Sequence, residues 1–140
     1  MTKVIVNRAY AGLGLSAKAI KMYYELKHPE IKLYAYKGRF LGDLSKISLE
    51  DIERGCELFT KDMGEDPSFD EIDWSCWVTE VDCERHDPTL VQIIEELGNE
   101  ANRDGADLKI VTIDSDRYVI LESDGFEIIE TPETIKWVYV

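Results

Sequence analysis

The chain has 140 residues, 44% of them hydrophobic and 32% charged, enough apolar mass for the core of one ordinary domain and not the make-up of a disordered chain. Its formal net charge of −13 excludes a surface built for phosphate backbones. No run approaches the roughly 18 apolar residues of a membrane span, no basic-then-apolar leader opens the chain, and three cysteines without CxxC spacing beside two histidines suit neither a disulfide framework nor zinc, so a cytosolic protein with no metal and no cofactor is expected.

Lys3–Asn7 reads as a short buried strand. A loop with Gly12 and Gly14 follows, and Ser16 caps a helix that runs to Lys27, with Ile20, Tyr23, Tyr24 and Lys27 three and four apart. His28-Pro29 ends it, because the residue before proline disfavours helical backbone. "IKLYAYKG" alternates, with Leu33 and Ala35 on one face and Lys32, Tyr34 and Tyr36 on the other. "SLEDIERGCELF" opens with Ser48 and Asp51 in capping register and predicts a short helix. Lys61–Asp73 holds Asp62, Glu65, Asp66, Asp70, Glu71 and Asp73 against one lysine, and reads as a solvated acidic loop.

"WSCWVTEV" is aromatic and β-branched, hence a strand, with Cys76 expected in the core. The strongest helix signal follows: Asp87 as cap, Pro88 at the first turn, and a stripe of Leu90, Ile94, Leu97 and Ala101. "ADLKIVTI" is a strand, "RYVILESDGFEIIE" a hairpin across Asp124-Gly125, and "IKWVYV" a candidate last strand. The expected fold is a single α+β domain over residues 1–140, one mixed sheet with two main helices packed on it.

Two junctions share one grammar of strand, polar loop and capped helix. The first offers Asn7, Arg8, Tyr10, Gly12, Gly14 and Ser16; the second offers Arg85, His86 and Asp87. If their strands run parallel in one sheet, both loops emerge at one edge, where free helix N–H groups and two arginines suit a phosphate or carboxylate. The structural alternative is that glycine serves any corner needing positive φ and Asp87 is only a cap. There is no third glycine at dinucleotide-fold spacing, no Gly-Lys-Ser, and no serine or cysteine in a nucleophile setting, so no catalytic residue is assigned.

"VNRAYAGLGLSAKA" resembles the Val-Asn-x-x-Tyr-Gly-Gly-Phe-Gly-Leu-Ser opening of a family of small proteins encoded by tailed bacteriophages. "RHDPTLVQIIEELGNEANRDGADLKIVTI" is similar to the Arg-x-Asp-Pro-x-Leu-Val core of that family and its Glu-Glu-Leu-Gly helix; Asp124-Gly125 and Trp137 fit as well. Ala11 and Leu13 depart from the pattern, and residues 29–73 have no counterpart in it. The resemblance implies a phage origin, action in the host bacterial cytoplasm, and a counter-defence or host-takeover role; it implies no catalytic residues. Three readings compete. The first is a protein that sequesters a nucleotide-type immune signal without turnover, through the nine junction residues as an anion pocket. The second is an acidic inhibitor that binds a host enzyme or immune effector, chiefly through Lys61–Asp73. The third is a small nucleotide-processing enzyme using His86 and Asp87. The expected partner is thus a small anionic nucleotide or a host protein, with no nucleic acid and no membrane. Exposed strand edges make a homo-oligomer a further expectation.

Overall fold

The structure, a computed structural model, describes residues 1–39, 41–53, 55–135 and 138. β1 (Thr2–Asn7) leads through the glycine loop to α1 (Ala17–Lys27), whose cap Ser16 accepts the Ala19 N–H at 3.2 Å. The helix stops where the His28 N–H bonds the Tyr24 carbonyl. β2 (Tyr34–Gly38), β3 (Leu44–Ile47), β4 (Cys56–Phe59) and β5 (Trp77–Val78) follow, then α2 (Pro88–Leu97), β6 (Leu108–Ile113), β7 (Val119–Ser123) and β8 (Phe126–Glu130). The fold is α+β.

The strands make three antiparallel sheets rather than one mixed sheet: β1 with β6, the four-stranded β3-β2-β4-β5, and β7 with β8. The connections between β2, β3 and β4 hold no long crossover helix, and strands so joined pair antiparallel. The strand ahead of α2 is β5, so the two junctions do not leave parallel strands of one sheet. Only two residues of "WSCWVTEV" form that strand. The Asp73 carboxylate accepts the Ser75 N–H at 3.1 Å and winds Trp74–Cys76 into a 3₁₀ turn. The expected helix after Ser48 is likewise a single 3₁₀ turn, Leu49–Asp51. The rest of that segment joins β2 as β4, where Cys56 and Leu58 face one core cluster and Phe59 the other. "IKWVYV" lies mostly outside the described residues.

One face of the four-stranded sheet, with Ala35, Cys56 and Leu58, joins Ile20 and Tyr23 of α1 and Leu90 and Ile94 of α2 in the main core. The other face, with Tyr36, Phe59 and Leu44, is covered by the acidic segment: Ile72 is buried there, and Met63 and Cys76 pack alongside. Lys61–Asp73 is thus anchored on the sheet by Met63, Pro67 and Ile72, while Asp62, Glu65, Asp66, Asp70 and Glu71 stay exposed to solvent as expected. Tyr36, fully buried, accepts the Met63 N–H at 2.8 Å and donates to the Gly64 carbonyl at 3.2 Å, and Asp62 pairs with Lys46 at 2.9 Å. All three cysteines are free thiols.

Candidate functional site: a filled carboxylate cradle

β1 delivers Asn7 to its C-terminal end, and Asn7 shapes the loop that follows. Its side chain is completely buried; Nδ2 donates to the Gly12 carbonyl at 3.2 Å, while Oδ1 accepts the Ala9 and Asp107 N–H groups, each at 3.0 Å. The turn then needs backbone that side chains resist. Gly12 has φ +111°, and Gly14 has φ +56° with so little room that a Cβ would lie 2.6 Å from Tyr10 Oη, 2.8 Å from Ala106 Cβ and 2.9 Å from Asn7 Nδ2. Tyr10 and Gly14 thus form the packed back of the loop, and the Gly12 N–H points inward.

What it points at is a carboxylate of the chain itself. Glu127 of β8, 3% exposed, accepts the Asn7 N–H on Oε1 at 2.8 Å and the Gly12 N–H on Oε2 at 2.8 Å. Arg85 grips the same group from the other side in a two-pronged pair, Nη1 to Oε1 at 2.6 Å and Nη2 to Oε2 at 2.9 Å. Arg85 also donates to the Ile5 carbonyl at 3.1 Å, and the Ile5 N–H bonds the Arg85 carbonyl at 2.9 Å, which ties the second junction to β1 without a strand between them. Arg8 closes the rim by donating Nη1 to the Glu127 main-chain carbonyl at 2.8 Å. Burial pushes the Glu127 carboxyl up, but the Arg85 fork and the two amides outweigh it and hold it below the ordinary glutamate value; the fork to Glu127 in turn raises Arg85 against the cost of burial.

Of the nine residues expected at an anion pocket, Asn7, Arg8, Gly12 and Arg85 meet around Glu127, with Tyr10 and Gly14 packed behind them. The other three are elsewhere or otherwise engaged. Ser16 caps α1 and donates to the Glu100 carbonyl at 2.7 Å. Asp87 caps α2, accepting the Thr89 and Leu90 N–H groups at 2.9 and 3.1 Å. His86 is turned away to Tyr118, with Nδ1 2.7 Å from its hydroxyl. Asp87 and His86 therefore serve different partners.

A separate groove of about 520 Å³ opens between the start of α1, β4 and residues 98–104. Its described lining carries Lys18 and Arg103 against Glu53, Glu57, Glu100 and Asp104. Lys18 pairs with Glu100 and Arg103 with Glu57, both at 3.3 Å. Among the described residues no cluster of His, Cys, Asp or Glu is arranged to hold a metal ion, and no helix is long and apolar enough to cross a membrane.

Glu127, Tyr118 and Arg103 are the participants that reading the sequence missed. Glu127 left one local trace, an acid between Phe126 and Ile128 in the strand FEIIE; its partners are more than forty positions away, beyond the reach of any spacing rule. Compared with protein families, curated proteins and solved structures, the chain matches none.

Proposed function

We propose that the chain is a non-catalytic acidic binding protein that docks on a basic surface of another protein and occludes it; on the phage resemblance, the target is a host enzyme or immune effector. One observation carries this reading: the donors of the two junctions, the anion pocket expected from the sequence, are closed on Glu127, while the chain carries a net charge of −13. Capture of a nucleotide at that place would require expelling a buried carboxylate that accepts four hydrogen bonds. The pair needed for an enzyme, His86 and Asp87, is divided between Tyr118 and the α2 amides. A surface of one sign accelerates encounter with a basic partner and disfavours acidic ones.

The test is to isolate a partner on the immobilised chain from bacterial lysate, purify it and rebuild the complex from pure components. The expected complex weakens steeply with added salt and blocks an activity of the partner. A saturable thermal stabilisation by a nucleotide, with no rebuilt protein complex, would overturn the proposal in favour of signal capture.

A further inference from the structure

The cover over the four-stranded sheet ends in an aromatic surface that core packing does not explain. Phe69 is 54% exposed, and Trp74 and Trp77 are each 40% exposed. The three rings adjoin, with Phe69 and Trp74 centroids 6.0 Å apart and Trp74 and Trp77 5.2 Å apart in an edge-to-face pair. They are held in place. Trp74 leans on buried Phe59 at 5.8 Å, the Trp77 indole N–H donates to Glu57 at 2.8 Å, and the Phe69 N–H is bound by Asp43 at 2.9 Å. Large amphipathic rings with little freedom left to lose are what binding hot spots are made of.

Charge selects the occupant. Phe69 belongs to, and Trp74 and Trp77 follow, a segment with six carboxylates and one lysine, and Asp43 and Glu57 add two more carboxylates; Lys46, Arg39, Lys61 and Arg103 pair with Asp62, Asp66, Asp73 and Glu57, so these eight carboxylates outnumber their four partners. Nucleic acid and anionic lipid are repelled by that field, and a second copy of this chain would bring the same charges face to face. Arginine satisfies both features: its planar guanidinium stacks on an aromatic face and pairs with carboxylates at the rim, and it sheds water more readily than an ammonium. We infer that Phe69, Trp74 and Trp77 form the docking face for an arginine-bearing segment of a partner protein. This rests on the proposed reading of the chain as an acidic protein binder and supplies its point of contact.

The experiment uses the full chain carrying Trp137→Phe, so that emission reports only Trp74 and Trp77. A short oligoarginine peptide and an oligolysine peptide of equal length are titrated while tryptophan fluorescence is followed. The expected result is a saturable change with oligoarginine, binding about fivefold tighter than oligolysine, and about fivefold weakening in Phe69→Ala and in Trp77→Ala. Glu122→Gln, on the distant β7, should leave the affinity within about twofold, the size of one exposed charge. Thermal melts establish that each variant is folded; Phe69 is more than half exposed, so Phe69→Ala carries the test if Trp77→Ala does not fold. Equal affinity for both peptides, unchanged in the aromatic variants, overturns the inference while leaving an acidic binder intact. No binding of either peptide at low salt overturns both.

Discussion

At the scale of single residues, the question is what the glycine turn and its arginine are for, and Glu127 answers it. The turn is an anion cradle whose anion is part of the chain. Replacing Glu127 with Gln keeps the volume but sets an amide N–H₂ against donors and leaves the Arg85 charge unpaired in a largely buried site. Loss of one member of such a pair costs about 3 kcal/mol, which urea titration should register. Arg85→Met combined with Glu127→Leu should cost less than the sum of the two single changes, because removing both partners leaves no stranded charge. Glu127→Ala should vacate the cradle for a small carboxylate, so acetate should raise its melting temperature more than chloride at equal ionic strength; equal effects of the two salts would show that the vacated space is not an anion site. Gly14→Ala should destabilise by about 1–3 kcal/mol, since φ +56° disfavours a side chain and the added carbon lies under 3 Å from Tyr10, Ala106 and Asn7.

At the scale of elements, the β7–β8 hairpin is its own two-stranded sheet, and two strands alone are marginal in water. Its hold on the body runs through β8, where Glu127 enters the cradle and the Glu127 carbonyl meets Arg8, while Val119 and Leu121 of β7 are about half exposed. In Glu127→Gln the hairpin amides should therefore exchange with deuterium well before those of α2. Exchange of both at one rate would mean the hairpin never opens separately. The elements also mark what could be read in advance. Ser16 and Asp87 were legible as caps because capping is local chemistry, and Asp124-Gly125 as a turn because Asp124 at φ +51° and Gly125 at φ +86° suit that pair. β5 is shorter than its aromatic, β-branched run predicts because Asp73, just before that run, captures the Ser75 amide and spoils the strand's start. The acidic segment looked solvated because its anchors, Met63 and Ile72, are only two residues among many charges. Cradle and sheet order depend on contacts across most of the chain, and no local pattern encodes them.

At the scale of the whole molecule, pH separates the buried carboxylate from the many exposed ones. Glu127 has a folded-state pKa below its ordinary value of 4.5, so its contribution is fully present above that value and disappears as pH falls through the lower, folded value. The stability difference between the natural chain and Glu127→Gln should accordingly be constant near neutrality and shrink only below pH 4.5. A difference that stays constant into strong acid would remove the charged pair from the explanation. At the alkaline end Tyr23 is one contributor, beside Tyr36, Tyr118 and Cys83, which burial also raises: burial, with Cys83 and Asp87 adding to it, pushes the Tyr23 phenol up to about 12. The buried neutral ring therefore supports the fold below its ordinary value of 10.0, and that support is lost as pH rises from there through about 12.

The clasp between Asn7 and Glu127 spans 120 positions, and this has a consequence for biosynthesis. The chain emerges from the ribosome in order, so the loop after β1 and then Arg85 appear long before the carboxylate that completes them. Until β8 has left the exit tunnel, the Asn7 and Gly12 amides and the Arg85 guanidinium lack the carboxylate that joins them. Closure of the loop after β1 thus waits on β8, and a nascent chain halted before Phe126 should leave that loop more open to proteases and chaperones than the finished chain does.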